Sequence, residues 1–231
     1  VRELLGRIAR PGDAPEQLTD FAEPIWNASF PRKRGDYFVF GHDEGGNERY
    51  RLNRFDLATR TATPLSPADR RTWAPTWSHR DSRVYYLAIP VGQRVESSKL
   101  TTEIRVVDAL KPETDQVVAR LPGVGWTLSD VSPDDRTLAL VEWMSETEAY
   151  LWVVDRRTGE RRRVTPRIEG EKVRYAAPAF DRTGRALITS SDRGSEFRRL
   201  VSIDLRTGRM RTLAEHPWDV TWYVLSRDAR R

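Results

Sequence analysis

A unit of about fifty residues recurs along the chain, and this repeat constrains the fold more than any single motif. Each copy closes an apolar run with an aspartate and a turn, and the intervals between aspartates are 52, 47 and 49 residues: Asp56, Asp108, Asp155 and Asp204. The side chain of an aspartate can form a hydrogen bond with the backbone two residues further on. The Thr-Gly or Thr-Arg pair that follows most of these aspartates supplies a turn position that tolerates positive φ. A regular period of this length is typical of repeat architectures.

A second marker divides each unit. It consists of a large apolar residue followed by a polar turn. Its four copies begin Trp77-Ser78, Val131-Ser132, Phe180-Asp181 and Leu225-Ser226. Apolar runs follow the first three copies, at Val84–Ile89, Leu138–Val141 and Ala186–Thr189. These runs are short, rich in β-branched or aromatic residues and apolar on both faces, which predicts strands buried in stacked sheets.

Each unit therefore holds about four antiparallel strands, which is the content of a β-propeller blade. A two-sheet sandwich is the alternative, but it does not explain so regular a period. We predict an all-β propeller with about four and a half blades and an incomplete ring, so the chain is expected to be a fragment. The predicted pieces cover residues 4–19, 24–66, 74–121, 126–166, 175–214 and 218–231.

Composition argues against several classes of partner. The chain has no cysteine, which excludes a disulfide framework and thiol chemistry. Its longest apolar run has six residues, far short of the ~20 that span a bilayer, so no membrane partner is predicted. The 39 basic residues are spread along the chain, mostly beside acidic ones, which predicts a solvated surface without nucleic acid. The compartment stays open, with the cytoplasm favoured over the periplasm.

The sequence offers no catalytic machinery. It lacks the G-x-S-x-G turn that presents a hydrolase serine. The three histidines, His42, His79 and His216, belong to different predicted turns or strand ends, whereas a triad needs its base beside the nucleophile. No spacing of His, Asp and Glu matches a metal-ligand set, and no glycine-rich phosphate loop precedes a helix. We therefore predict no catalytic residue, no metal and no cofactor in this chain.

Four segments at blade spacing resemble one protein family. They are Phe38–Glu48, Gly125–Asp134, Ser191–Phe197 and Pro217–Val220. Together they resemble propeller blades of bacterial prolyl-oligopeptidase-family serine peptidases, and the resemblance runs from about residue 15 to the end. The Ser-Pro-Asp turn within them is shared with TolB-like propellers. The loop Pro90–Thr102 departs from the family pattern, because it lacks the Arg-Asn-Gly-Asp type of turn often found there.

The resemblance implies a two-part serine peptidase related to dipeptidyl- and acylaminoacyl-peptidases. In that arrangement the propeller limits access of short peptides to an α/β-hydrolase domain, which carries a Ser-Asp-His triad and lies outside this sequence. The implied partners are that C-terminal hydrolase domain and short peptide substrates. The alternative is a TolB-like propeller that acts as a protein-binding module.

Acidic residues recur at the loops between second and third strands. Glu48, Glu148 and Glu196 precede a repeat aspartate by seven or eight residues, and Asp43 and Asp192 begin two of these loops. Because such loops open on one face of a propeller, we predict that the five carboxylates share one rim. They either bond backbone N–H groups and neighbouring arginines such as Arg49 and Arg198, or form a negative surface that attracts a peptide amine or docks the hydrolase domain.

Tryptophans provide the remaining candidates. Trp77 precedes its turn as Val131 precedes the equivalent one, which predicts a core position. Trp73, Trp126, Trp143 and Trp218 fall near blade connections, where an aromatic ring either packs between blades or faces a ligand channel. Trp218 is kept with the rim carboxylates as a candidate for substrate binding or domain docking.

Overall fold

The computed structural model describes residues 6–7, 10–43, 45–92 and 99–226, and these residues contain eighteen strands and no α-helix. Sixteen of the strands form four antiparallel sheets of four, each with its strands in chain order. The predicted all-β fold, a partial β-propeller, is confirmed. Two further short strands, β1 (Gly6–Arg7) and β2 (Glu16–Gln17), pair with each other.

The four sheets are called blades 1 to 4. Blade 1 contains β3 (Ile25–Ser29), β4 (Tyr37–His42), β5 (Arg51–Asp56) and β6 (Thr61–Pro64). Blade 2 contains β7 (Arg70–Trp77), β8 (Arg83–Pro90), β9 (Thr101–Asp108) and β10 (Lys111–Pro122). Blade 3 contains β11 (Trp126–Val131), β12 (Thr137–Ser145), β13 (Glu148–Asp155) and β14 (Arg161–Arg163). Blade 4 contains β15 (Tyr175–Phe180), β16 (Ala186–Ser191), β17 (Arg199–Asp204) and β18 (Met210–Ala214).

Four predicted features reach beyond the described residues, and the first is the piece 24–66, which includes residue 44. The piece 4–19 includes residues 4–5 and 8–9, and the piece 218–231 includes 227–231, all outside the described ranges. The loop Pro90–Thr102 includes residues 93–98, which also lie outside them. After blade 4, residues 215–226 form no strand.

The second strand of each blade supplies much of the core. Tyr37–Phe40, Val84–Ala88 and Leu138–Val141 are buried at every position, as the two-sided apolar runs predict. Such a strand needs a covered surface on both faces, and neighbouring blades provide it. Three apolar clusters accordingly fill the gaps between blades 1 and 2, 2 and 3, and 3 and 4. A fourth cluster, Leu18 with Phe38, Phe40 and Phe55, covers the other side of blade 1.

The repeat aspartates close their hairpins as the sequence predicts. Asp155 Oδ1 accepts the N–H groups of Arg157 and Thr158 and the Thr158 hydroxyl, at 2.8–3.2 Å. Asp56 and Asp204 make the same three bonds in their own turns. These bonds stabilise the carboxylate, and they lower the pKa of all three aspartates. The positive-φ position that follows is Arg60, Gly159 or Gly208.

Alternating strand direction gives each blade two ends. Turns after its first and third strands share one end, which is called the turn face. There the two turns of a blade bond each other, as Arg156 N–H does to Arg136 O at 2.9 Å and Leu205 N–H to Arg185 O at 2.9 Å. Connections after the second and fourth strands share the opposite end, which is called the loop face.

Candidate functional site

The innermost strands of the blades carry a shared irregularity. A bulge interrupts the pairing of each first strand with the second, and three of these bulges contain a non-glycine residue with φ near +50°: Asn27, Ala74 and Ala177. The corresponding bulge in β11 falls between Leu128 and Asp130. A bulge twists a strand and redirects its side chains, and bulges are frequent beside binding sites.

Three cavities border these strands and join into one depression, called the inner groove. Their volumes are about 420, 630 and 640 Å³. The first two share Tyr50, Arg71, Thr72 and Trp73. The second and third share Thr127 and Trp143. The inner groove therefore extends across several blades, along the innermost strands.

Aromatic rings and two opposite charges line the first cavity. The ring centroids of Trp26 and Tyr50 lie 5.7 Å apart, and Trp26 is 53% exposed. Glu48 and Arg71 contribute an exposed carboxylate and an exposed guanidinium. Apolar walls with a few placed polar groups are the usual composition of a ligand pocket. This cavity can take an apolar group and orient polar atoms at its mouth.

Asp43 holds Glu48 at the first cavity. Asp43 is buried, and its carboxylate accepts the N–H of Glu48 at 2.8 Å. Glu48 itself has a φ of +56°, a conformation that an L-residue keeps only where its surroundings enforce it. Asp43 thus fixes the backbone of Glu48, which lines the first cavity.

Glu148 and Asp192 have different surroundings. Glu148 accepts the Tyr150 hydroxyl at 2.6 Å, lies 3.6 Å from Arg167 and lines a separate cavity of about 520 Å³. Asp192 accepts the backbone N–H of Arg174 at 2.9 Å. Glu48 and Glu148 therefore border different cavities, although both lie at loop-face connections.

Glu196 and Trp218 lie beside blade 4. Glu196 is exposed in the loop between β16 and β17. Trp218 is 61% exposed and stacks on His216 with ring centroids 5.5 Å apart. Its neighbour Asp219 accepts the backbone N–H of Arg198 at 2.8 Å, which fastens the segment after β18 to this loop.

The other tryptophans divide between core and groove. Trp77 is 7% exposed and belongs to the cluster between blades 1 and 2. Trp126 is buried, and its backbone oxygen accepts the indole N–H of Trp73 at 2.9 Å across the gap between blades 2 and 3. Trp143 is 45% exposed in the inner groove. Trp73 and Trp126 thus pack between blades and also line the groove.

Asp130 was not among the residues singled out from the sequence. It accepts the N–H of Phe180 in blade 4 at 2.8 Å and lies 3.7 Å from Arg32 in blade 1. Burial raises the pKa of this carboxyl, because its effect outweighs those of Phe180 N–H and Arg32, which lower the pKa. An acidic residue in the otherwise uncharged strand Trp126–Val131 is the signal that could have identified it.

The histidines occupy separate places. His42 Nε2 is 3.8 Å from Glu23, His79 Nε2 is 2.9 Å from Val131 O, and His216 stacks on Trp218. Burial lowers the pKa of His79. Within the described ranges, no group of three or more His, Cys, Asp and Glu side chains is arranged to hold a metal ion. In the same part of the chain, no helix is long and apolar enough to cross a membrane.

Solved structures with the same fold include peptidases. A structure from a study of two prolyl endopeptidases aligns with 94% of this chain and 33% of its own, at 15% identity and a TM-score of 0.69. Prolyl oligopeptidase B from Galerina marginata aligns with 92% of this chain over 34% of its own length, at 16% identity and a TM-score of 0.66. TolB from Acinetobacter baumannii aligns with 90% of this chain over 48% of its own length, at 16% identity and a TM-score of 0.60. The chain thus spans about a third of these peptidases and about half of TolB.

No curated protein sequence matches the chain. A family profile does, over residues 27–224, and it describes the N-terminal β-propeller domain of prolyl oligopeptidase. This match covers all four blades except the first two residues of β3. The chain therefore belongs to the prolyl oligopeptidase family, as an N-terminal β-propeller domain.

Proposed function

We propose that this chain is the non-catalytic propeller of a prolyl-oligopeptidase-like serine peptidase. The observation that carries the proposal is the family match over residues 27–224. In this proposal a hydrolase domain outside this sequence performs the chemistry, and the propeller controls which peptides reach it. A G-x-S-x-G turn, then Asp and His, encoded beyond Arg231 would support the proposal.

The inner groove is the proposed surface for short peptides. Its aromatic rings offer apolar contact, and Glu48 and Arg71 offer opposite charges to the polar groups of a peptide. Access through a groove between a propeller and a second domain would favour short, extended chains over folded proteins.

The proposal predicts that the 231-residue chain has no peptidase activity. Active-site-titratable hydrolysis of a peptide amide by the purified chain would contradict it, because the described residues include no nucleophile paired with a histidine.

A substitution in the parent protein tests the groove. Trp26→Ala removes an indole that is half exposed, so the fold should persist. We expect the KM for a short peptide amide to rise about fivefold while kcat stays unchanged, because the contact is made before and during reaction alike. Phe30→Ala is the control, since Phe30 is 46% exposed on the turn face. Equal effects of both substitutions on KM would refute a role for the inner groove.

The second candidate function is a TolB-like protein-binding propeller. The observation that favours it is the structural similarity to TolB, of which 48% aligns with this chain. The coding sequence beyond Arg231 separates the two functions, because further blades followed by a stop codon would support the binding module.

A further inference from the structure

A stack of arginines and aromatic rings lies on the outer part of blade 3. The guanidinium carbon of Arg161 is 5.6 Å from the ring centroid of Trp152, and that of Arg163 is 5.8 Å from the same ring. Arg163 also lies 5.8 Å from the Tyr150 ring, and Arg167 lies 5.6 Å from it. Three guanidinium groups therefore alternate with two rings. These five side chains are called the arginine stack.

Neighbouring acids hold the rings of the arginine stack in place. Glu142 accepts the indole N–H of Trp152 at 2.8 Å, and Glu148 accepts the hydroxyl of Tyr150 at 2.6 Å. An arginine stacked on an aromatic face keeps its in-plane N–H donors available, in a fork that matches a carboxylate. The stack thus pre-orients donors that would otherwise be mobile.

Two of these guanidiniums have no acidic partner in the part of the chain that the structure describes. Many arginines of this chain pair with Asp or Glu, as Arg105 does with Glu103 and Asp115. Among the described residues, no carboxylate lies within ion-pair distance of Arg161 or Arg163, and both are exposed. Arg162 points to the other side of β14 and donates to Leu205 O at 2.9 Å.

The same arginines form a sheet edge. Arg161, Arg162 and Arg163 are the whole of β14, the outermost strand of blade 3, which pairs with β13 alone. The corresponding outermost strands of blades 1 and 4, β6 and β18, contain one arginine between them. An outermost strand leaves alternate backbone N–H and C=O groups free for another strand.

We propose that β14 binds an extended acidic segment of a partner protein as an added strand. Alternate side chains of a strand lie about 6.7 Å apart, so glutamates at alternate positions can face Arg161 and Arg163 together. The backbone of the segment pairs with the free edge of β14. This surface lies on the outside of the propeller, away from the inner groove, and the proposal does not depend on the proposed function.

A nucleic acid fits this surface less well than a peptide. Nucleic-acid sites usually present a broad stripe of unpaired basic residues. Here the ring-stacked cations that have no acidic partner among the described residues are two residues of one short strand, and their spacing matches a β-strand. Binding of an acidic peptide and of a single-stranded DNA to the same chain distinguishes the two ligands.

The test uses the full chain and a fluorescent peptide of about ten residues with glutamate at every second position, long enough for one added strand. Binding is followed by fluorescence anisotropy. The variant Arg161→Ala/Arg163→Ala should weaken binding about tenfold, since two pre-oriented carboxylate pairs are lost. The matched control is Arg206→Ala/Arg209→Ala, which removes two exposed arginines from the equivalent turn of blade 4. This control should change binding less than about twofold.

Three further probes separate strand addition from charge attraction. N-methylation of alternate peptide bonds should abolish binding, because it removes the donors of the added strand. Trp152→Leu should weaken binding without altering net charge, because it removes the platform under Arg161 and Arg163. A peptide with its glutamates in one block should bind more weakly than the alternating one. Equal binding of the block peptide or of a single-stranded DNA would overturn the proposal, as would equal loss in the two double variants.

Discussion

The contact between blades 2 and 3 gives a quantitative prediction about how the propeller is held together. Asp135, which is 1% exposed, accepts the hydroxyl of Ser78 at 2.5 Å and the N–H of His79 at 2.8 Å. Both donors belong to the turn after β7. Asp135→Ala leaves them without this acceptor, at a cost of about 1–3 kcal/mol each.

The backbone of Asp135 adds to the effect. Its φ is +59°, a region that Asp and Asn adopt more readily than Ala, which adds about 1 kcal/mol for the alanine variant. We expect Asp135→Ala to lower the free energy of unfolding by about 4 kcal/mol. Asp135→Asn keeps the backbone preference and one acceptor oxygen, so we expect a loss of about 2 kcal/mol.

Urea unfolding of the chain, followed by tryptophan fluorescence and by circular dichroism, measures these losses. Asp134→Asn is the matched control, since Asp134 is exposed in the same turn and accepts Ser132 Oγ–H at 2.6 Å. We expect the control to cost less than about 1 kcal/mol. A double-mutant cycle with Ser78→Ala should give a coupling of about 1–2 kcal/mol. The reasoning is refuted if Asp134→Asn costs as much as Asp135→Asn, or if the coupling is below about 0.5 kcal/mol.

Three other predictions concern stability. Gly159 and Gly208 occupy equivalent turns at φ +72° and +70°, but only at Gly159 would a Cβ meet another atom closely, Val118 O at 2.7 Å. Gly159→Ala should therefore lower the free energy of unfolding by about 2 kcal/mol more than Gly208→Ala. Equal losses in urea unfolding would contradict this. Burial favours a raised pKa for Glu103, but hydrogen bonds from Arg70 and Arg105 outweigh it and lower the pKa. The ionised carboxylate of Glu103 thus stabilises the fold above about pH 4.3, and this contribution is lost as the pH falls. In Glu103→Gln, the free energy of unfolding should therefore depend less on pH below about pH 4.3. Burial raises the pKa of Asp130, so its stabilising contribution is present below about pH 3.9 and is lost as pH rises. Asp130→Asn should therefore be more stable than the unsubstituted chain near neutral pH, and a lower denaturation midpoint there would disprove this.

The hairpins at the repeat aspartates were predictable from local chemistry. Three of the four repeat aspartates bond groups two and three residues ahead, as Asp155 does with Arg157 and Thr158, and the fourth, Asp108, accepts the N–H two residues ahead. Such bonds depend on sequence spacing alone, so a short motif is enough to identify them. The buried second strands were predictable for a similar reason, because an apolar run such as Val84–Ala88 needs cover on both faces.

Equal spacing did not give the acidic residues equal surroundings. Glu48 lies in an eight-residue connection between β4 and β5, whereas Glu148 is already the first residue of β13, after a connection of only two residues from β12. The short hairpin places Glu148 beside Tyr150 and Arg167, while the longer loop carries Glu48 to the first cavity. Loop length and packing set these positions, and neither follows from counting back to an aspartate.

The repeat thus established the blade, its four strands and its turns, because each depends on residues a few positions apart. The inner groove, the pairing of Asp135 with Ser78 and the environment of Asp130 depend on residues from different blades. Asp135 and Ser78 are 57 positions apart, and Phe180 lies 50 positions after Asp130. Such partners meet only when whole sheets pack against each other, so the folded chain was needed to identify them.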